Sequence, residues 1–334
     1  VGVSSFGFGG TNAHVVLADA PQQRPQMRSG ARMPLQLISL SARTPEALVR
    51  GARDLAEQLQ AQPTLKLADL AASANLGRTG FRQRAVCLAG DHAQLLNQLQ
   101  ALAADQRPLP EGVARGTASR RPGKLAWLFT AQESQTLGVG EELLAHPTFR
   151  DAFDRVEALL DQTGAGQPAL FAVGYALSQL WQSWGVGPDL LMGHSNGEVL
   201  AAHLAGVFSL EDACRLVAAR EHLLPAFGRE LRQIVFSPPN RPLVSTLTGR
   251  LAGAEIAQPD YWCDQVLSPV RFAEGVDTLI AQGAQVFLEI GARPTLIGMA
   301  RQCSDDPALS YWPSLVPGQS DWDVIFASLG GLWR

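Results

Sequence analysis

Leu190-Leu191-Met192-Gly193-His194-Ser195-Asn196-Gly197-Glu198 is the stretch from which the rest of the chain can be read. An apolar run enters it, and a helix-like run leaves it through Val199, Leu200, Ala201, Ala202, Leu204 and Ala205. Gly-x-Ser-x-Gly between a buried strand and a helix is the pattern of a nucleophile elbow. The two glycines let the backbone turn where a Cβ would clash. Ser195 then stands on the turn with its hydroxyl exposed. The next amide and the helix N-terminus face a developing oxyanion. A loop that holds Gly and Ser by chance fits the bare pattern as well, so the flanks have to decide.

Composition sets the bounds. The 334 residues suffice for two modest domains, and 46% hydrophobic with 17% charged residues suits a soluble protein with a buried core. A net charge of −4 gives no support for nucleic-acid binding. No apolar run is long enough to span a membrane, and no signal peptide is apparent, so the expected compartment is the cytoplasm. Cys87, Cys214, Cys263 and Cys303 are scattered, which predicts reduced, buried thiols and no metal site. The first residue is Val1, which reads as an excised fragment. Lysine stands only at Lys66 and Lys124, a bias toward Arg rather than a functional sign.

The elements follow from local signals. Pro21 to Arg32 is rich in Pro, Gln and Arg and reads as a linker. Leu35 to Leu40 suits a strand. Thr44-Pro45 caps a helix whose buried face is Leu48, Ala52, Leu55 and Leu59. Leu67, Leu70, Ala71 and Ala74 mark a second helix, Phe81 to Ala89 a strand, and Asp91 caps a third helix through Leu102. His92 is expected on its surface. Asp105 to Pro122 is expected to cross the surface as a loop. Lys124 to Thr130 reads as a buried strand and Glu141 to Leu160 as one helix, with His146 on the surface. Gln167 to Trp184 is a further helix burying Leu170, Phe171, Leu177, Leu180 and Trp181. Pro242 to Thr248 and Val286 to Gly291 suit strands, and Trp322 to Trp333 a last helix.

Gly193-His194-Ser195-Asn196-Gly197-Glu198, with Gln167 to Val173 upstream and Ala202 to Ala213 downstream, resembles the acyltransferase domains of modular type I polyketide synthases. Tyr261-Trp262 through Pro269-Val270-Arg271-Phe272 resembles another of their segments. Val1 to Val16, with Phe6-Gly7-Phe8-Gly9-Gly10-Thr11-Asn12-Ala13-His14, resembles the last strand of a ketosynthase, whose reactive residues lie upstream and are not present. His14 is then structural.

The resemblance implies an α/β fold: residues 1–32 as ketosynthase strand and linker, 33–122 as a small α/β linker domain, 123–312 as an α/β-hydrolase-like acyltransferase core, and 313–334 as the linker that follows. It implies Ser195 as nucleophile, with Gly193, His194 and Gly197 supporting the elbow. It implies Gln132 and Asn196 in the oxyanion hole, and Arg220, 25 residues after Ser195, for a substrate carboxylate, which a guanidinium fork suits. The substrate would be a malonyl-type coenzyme A thioester. The partners would be a ketosynthase of the same polypeptide and an acyl carrier protein bearing phosphopantetheine, in a homodimeric synthase. No bound cofactor or metal is implied.

The chain departs from that family in four places. The family's base is a His in a Gly-His-Ala-Phe-His-Ser type motif on a ferredoxin-like small subdomain. None of His14, His92, His146, His194, His203 and His222 lies in such a motif. His222 follows Arg220 too closely and is expected on the same helix. From Arg220 to Phe236 is 16 residues, too few for four strands of about five residues plus helices of about eleven. A second shortening falls between Leu160 and Gln167. Where the family has Gly-Gln-Gly-Ser-Gln and Gly-Pro-His-Pro, this chain has Ala131-Gln132-Glu133-Ser134-Gln135 and Gly291-Ala292-Arg293-Pro294.

Either the chain is naturally shortened or a segment has been cut from the sequence, and the altered residues at 131 and 133 favour the first. The resulting expectation is a degenerate acyltransferase kept as a scaffold, its extender unit supplied by a separate, trans-acting acyltransferase. The alternatives are an active malonyl- or methylmalonyl-specific acyltransferase and, third, an unrelated serine hydrolase. Asn196 matches the residue typical of neither extender specificity.

Overall fold

A computed structural model describes residues 1–19, 33–119, 122–130, 138, 140–161, 169–220 and 224–334. The chain divides into two compact units, Val1–Ala31 and Arg32–Arg334. In the first, β1 (Gly2–Phe6) and β2 (Asn12–Val16) form an antiparallel hairpin. Its side chains are exposed on both faces, and His14 Nδ1 lies 2.7 Å from Ser4 Oγ.

The second unit begins with β3 (Gln36–Ala42), α1 (Pro45–Ala61), α2 (Leu67–Leu76), β4 (Gln83–Ala89), α3 (His92–Ala103) and β5 (Val113–Thr117). Both expected caps are formed. Thr44 accepts from Ala47 N and Asp91 from Gln94 N, each meeting a helix amide that has no partner within its helix. The three strands make an antiparallel sheet in the order β3-β4-β5. Ile38, Leu48, Ala52, Leu59, Leu95 and Leu99 form its core. The expected loop from 105 to 122 is corrected by β5. It is a five-residue edge strand containing Arg115 and Gly116, so its apolar signal is too thin to read. His92 is half-buried, with Nε2 2.5 Å from Leu65 O, and is not a free surface residue.

Next come β6 (Lys124–Thr130), α4 (Pro147–Asp161), α5 (Ala169–Ser183), β7 (Leu190–His194), α6 (Asn196–Leu204), α7 (Leu210–Ala219) and α8 (Leu224–Leu231). They are followed by β8 (Leu243–Val244), α9 (Pro259–Leu267), α10 (Phe272–Ala281), β9 (Ala284–Ile290), α11 (Thr295–Arg301), β10 (Ser310–Pro313) and α12 (Asp321–Trp333). The five strands run parallel in the order β10-β9-β6-β7-β8. Both faces of this sheet are covered, which is why its strands read as unbroken apolar runs. Alternate residues go to opposite faces. Trp127 and Phe129 meet α5, α6 and α12 on one side, while Ala126 and Leu128 meet α10 and α11 on the other.

The single helix expected over 141–160 is two pieces, a 3-10 turn over Glu142–Ala145 and then α4. Pro147 forces the break by holding His146 extended at ψ 123°. His146 is corrected with it. The ring is half-buried, 6.2 Å from both Trp184 and Trp322, and burial lowers its pKa. The strand expected over 242–248 is only β8, since Thr246 turns away to bond a buried carboxylate described below and the Ser245 hydroxyl lies 2.5 Å from that of Tyr261. Between α7 and β8 lies α8, with Phe227 and Leu231 in the main core. No strand lies there among the described residues.

Cys87 and Cys214 are buried, but Cys263 and Cys303 are half-buried, so the expectation of four buried thiols holds for two. Burial raises Cys87 and Cys214 to about 12. Native-state alkylation with iodoacetamide is expected to label Cys263 and Cys303 first and to spare the other two until the chain unfolds. Equal labelling of all four would contradict this packing.

Glu289, on β9, is enclosed at the carboxyl end of the sheet. It accepts from Leu296 N at 3.0 Å, Ile297 N at 2.8 Å and the Thr130 hydroxyl. Burial outweighs these bonds and raises its pKa from 4.5 to about 7. The folded state therefore holds this proton more tightly than the unfolded state. Its stabilising effect is complete below pH 4.5 and is lost as pH rises through 7. The loss is up to about 3 kcal/mol at about 1.4 kcal/mol per pH unit. Glu289→Gln is expected to flatten that slope in urea unfolding between pH 5 and 8. An unchanged slope would remove Glu289 as its source.

A candidate acyl-transfer elbow

Ser195 follows β7 directly, with φ 57° and ψ −121°. A positive φ is strained for any residue with a Cβ, and such strain marks sites where the backbone must aim one side chain. The flanking glycines make the turn possible. A Cβ on Gly193 would lie 2.1 Å from Gly197 O, and one on Gly197 would lie 2.0 Å from Phe129 O. The helix α6 starts at Asn196, so its free amides point toward the serine's end of the helix. Ser195 stands at the carboxyl end of the sheet, one strand from where the order reverses between β6 and β9. Ligands of open α/β sheets bind in that region.

Arg220 caps the end of α7 and reaches the same turn. Its Nη1 donates to Asn196 Oδ1 at 2.6 Å, and its Nη2 donates to Gln265 Oε1. Desolvation lowers the guanidinium pKa to about 10, so it remains charged at neutral pH. The structure thus brings Gly193, His194, Ser195, Asn196, Gly197 and Arg220 to one place. Gln132, expected in the oxyanion hole, lies outside the described residues, as do Glu133 and His222. The helix expected to carry His222 ends at Ala219.

Beneath the elbow is a polar cluster that the sequence did not reveal. Glu198 is fully buried. Its carboxyl bonds the Tyr261 and Thr246 hydroxyls, Thr246 N at 3.2 Å and Gln265 Nε2 at 2.9 Å. Burial raises its pKa. The Thr246 hydroxyl oxygen also lies 3.2 Å from Gly193 O, tying the cluster to the elbow. Four of the described histidines have other contacts. His14 contacts Ser4 and His92 contacts Leu65. His146 packs between two tryptophans, and His203 Nδ1 lies 3.1 Å from Phe208 O. No group of three potential metal ligands and no helix able to cross a membrane occurs among the described residues.

Two family models match the chain: the ketoacyl-synthetase C-terminal extension over residues 1–86 and the acyl transferase domain over residues 157–227. The crystal structure of the acyltransferase domain from the second module of the salinomycin polyketide synthase is 30% identical. The match covers 88% of this chain and 92% of that domain at a TM-score of 0.70. The chain belongs to the linker and acyltransferase family of type I polyketide synthases. The acyltransferase domain of ZmaA has the same fold at a TM-score of 0.80, with 21% identity over 91% of this chain and 95% of that one.

Among curated relatives, the spectinabilin polyketide synthase system protein NorB of Streptomyces orinoci is 35% identical over 92% of this chain and 19% of its own length. The mycoketide-CoA synthase of Mycobacterium tuberculosis is 33% identical over 94% of this chain and 10% of its own length. The chain thus spans about a fifth or less of these relatives. The NorB alignment runs over 420 positions, although 92% of 334 residues is only about 307.

Proposed function

We propose that this region is a degenerate acyltransferase, retained as a structural element of a polyketide synthase and unable to load extender units. The observation that carries it is the connection from Arg220 to Phe236. A base-bearing subdomain would be inserted there, and the described part of the connection is the single helix α8, packed into the core by Phe227 and Leu231. The surplus of positions in the NorB alignment supports a deletion on the order of a hundred residues. A serine without a base is a weak nucleophile. The test is the intact mass of the protein after incubation with malonyl- and methylmalonyl-coenzyme A. Unchanged mass supports the proposal, and an adduct on Ser195 overturns it.

The surroundings in this reading are those of the family. The hairpin of β1 and β2, exposed on both faces, supports a place in the sheet of a ketosynthase on the same polypeptide, because a lone hairpin is marginal in water. Working divisions fall near residues 32, 122 and 312. An acyl carrier protein with phosphopantetheine would receive its unit from a trans-acting acyltransferase in a cytoplasmic, homodimeric synthase.

A second reading is an active enzyme of this family whose base-bearing segment is absent from this sequence. The strained φ of Ser195 favours it, since an elbow with no remaining task is free to relax. An acyltransferase domain at 25% identity, that of SpnD, was solved in complex with 2-(pent-4-yn-1-yl)malonyl. In this second reading a malonyl-type thioester is the substrate here too.

A further inference from the structure

Arg220 is held from inside the protein by two side-chain amide oxygens, Asn196 Oδ1 at 2.6 Å from Nη1 and Gln265 Oε1 on Nη2. A guanidinium has donors only, so both amides must turn their oxygens toward it. Gln265 is fixed in that orientation because its nitrogen donates to Glu198 Oε2 at 2.9 Å. Asn196 is fixed because it begins α6 directly after the strained Ser195. Two oxygens from separate side chains therefore meet the fork where a carboxylate presents two of its own. The third donor position, Nε, is buried without a partner.

We infer that Asn196 and Gln265 are a built-in substitute for the free carboxylate of a malonyl-type group, and that they close Arg220 to that ligand. The inference rests on reading the Ser195 turn as an acyltransferase site. To bind, an external carboxylate must displace Asn196 Oδ1 and leave that amide without its partner. A hydrogen bond to a charged group is stronger than one between neutral groups, so the resident amide outcompetes a dilute ligand that must also give up its hydration. Asn196 is thereby a specificity-determining residue, acting by exclusion.

The test is equilibrium binding of free malonate, which has no thioester and cannot acylate Ser195. Calorimetry on the 334-residue chain is expected to show no saturable binding. Asn196→Ala is expected to bind at least about tenfold more tightly, the lower end of one charge-assisted hydrogen bond. The gain must vanish when Arg220→Gln is added. Asn196→Ser, which keeps a small polar residue at the first position of α6, opens the same space and must show the same gain, so the idea stays testable if the alanine variant folds poorly. Asn196→Asp places a true carboxylate on Arg220 and must gain nothing.

Unaltered protein binding malonate as tightly as Asn196→Ala would overturn the inference. So would folded Asn196→Ala and Asn196→Ser that both fail to bind. An adduct on Ser195 in the loading assay would sink the inactive reading without changing the malonate result. The two failures are therefore separable.

Discussion

No mass is expected to be added to Ser195 when the chain is incubated with malonyl- or methylmalonyl-coenzyme A on the timescale of a working synthase. A serine hydroxyl is almost fully protonated at neutral pH and needs a base to attack a thioester. General-base assistance is worth about 10²- to 10⁴-fold. Its absence therefore costs roughly 3–5 kcal/mol of transition-state stabilisation, at about 1.4 kcal/mol per tenfold. Two further features act in the same direction. Arg220 is already bonded to Asn196 and Gln265, and Glu133 adds a negative charge to the segment bearing Gln132, close in sequence to the expected oxyanion hole. A prompt mass gain that disappears in Ser195→Ala would restore the active reading. If the gain also disappeared in His222→Ala, the base would lie in the short connection after α7.

The second large effect concerns Gly197. Glycine inside a helix costs about 1 kcal/mol relative to alanine, so propensity alone predicts that Gly197→Ala stabilises the protein. Geometry predicts the opposite. The new Cβ would lie 2.0 Å from Phe129 O and 2.6 Å from Phe129 C, both backbone atoms of a central strand. No side-chain rotation can relieve that contact. Either α6 lifts from the sheet or β6 shifts, and the expected loss is on the order of 4 kcal/mol. Gly298, in α11, has nothing within 4 Å of its ideal Cβ, and Gly298→Ala is expected to be neutral or slightly stabilising. Urea unfolding of both variants makes the comparison. A Gly197→Ala protein within 1 kcal/mol of the parent would mean that the close seating of α6 on β6 is wrong.

The elbow was legible because everything it needs is consecutive. Strand, two glycines, serine and helix lie within one run of residues, each with a local reason to be there. The polar cluster under it was not legible. Glu198 in the first turn of a helix reads as an exposed acid complementing the helix dipole. Its partners Thr246, Tyr261 and Gln265 stand 48 to 67 residues further on, and only the fold brings them together. The missed strands β5 and β10 have five and four residues, too short for alternation to stand out. The break before α4 was written in the sequence as His146-Pro147, and the apolar period on both sides masked it. His146 was misplaced for the same reason, since nothing nearby in the chain announces Trp322.

The last helix has a bearing on how such a region can be recombined. Trp322, Ile325 and Phe326 of α12 are buried in the core of the parallel sheet. Its far end belongs equally to the antiparallel sheet: Arg84 donates to Trp333 O and lies over the Trp333 ring at 4.6 Å, and Arg334 donates to Arg115 O at 3.1 Å. A splice made between β5 and β6, which the Pro- and Gly-rich sequence there invites, would separate the strands on which α12 rests from α12 itself. The foreign half would arrive without a counterpart for Trp333. A chimera that keeps both walls of that seat has to carry the strands from residue 33 onward together with α12, so that no seam runs between them.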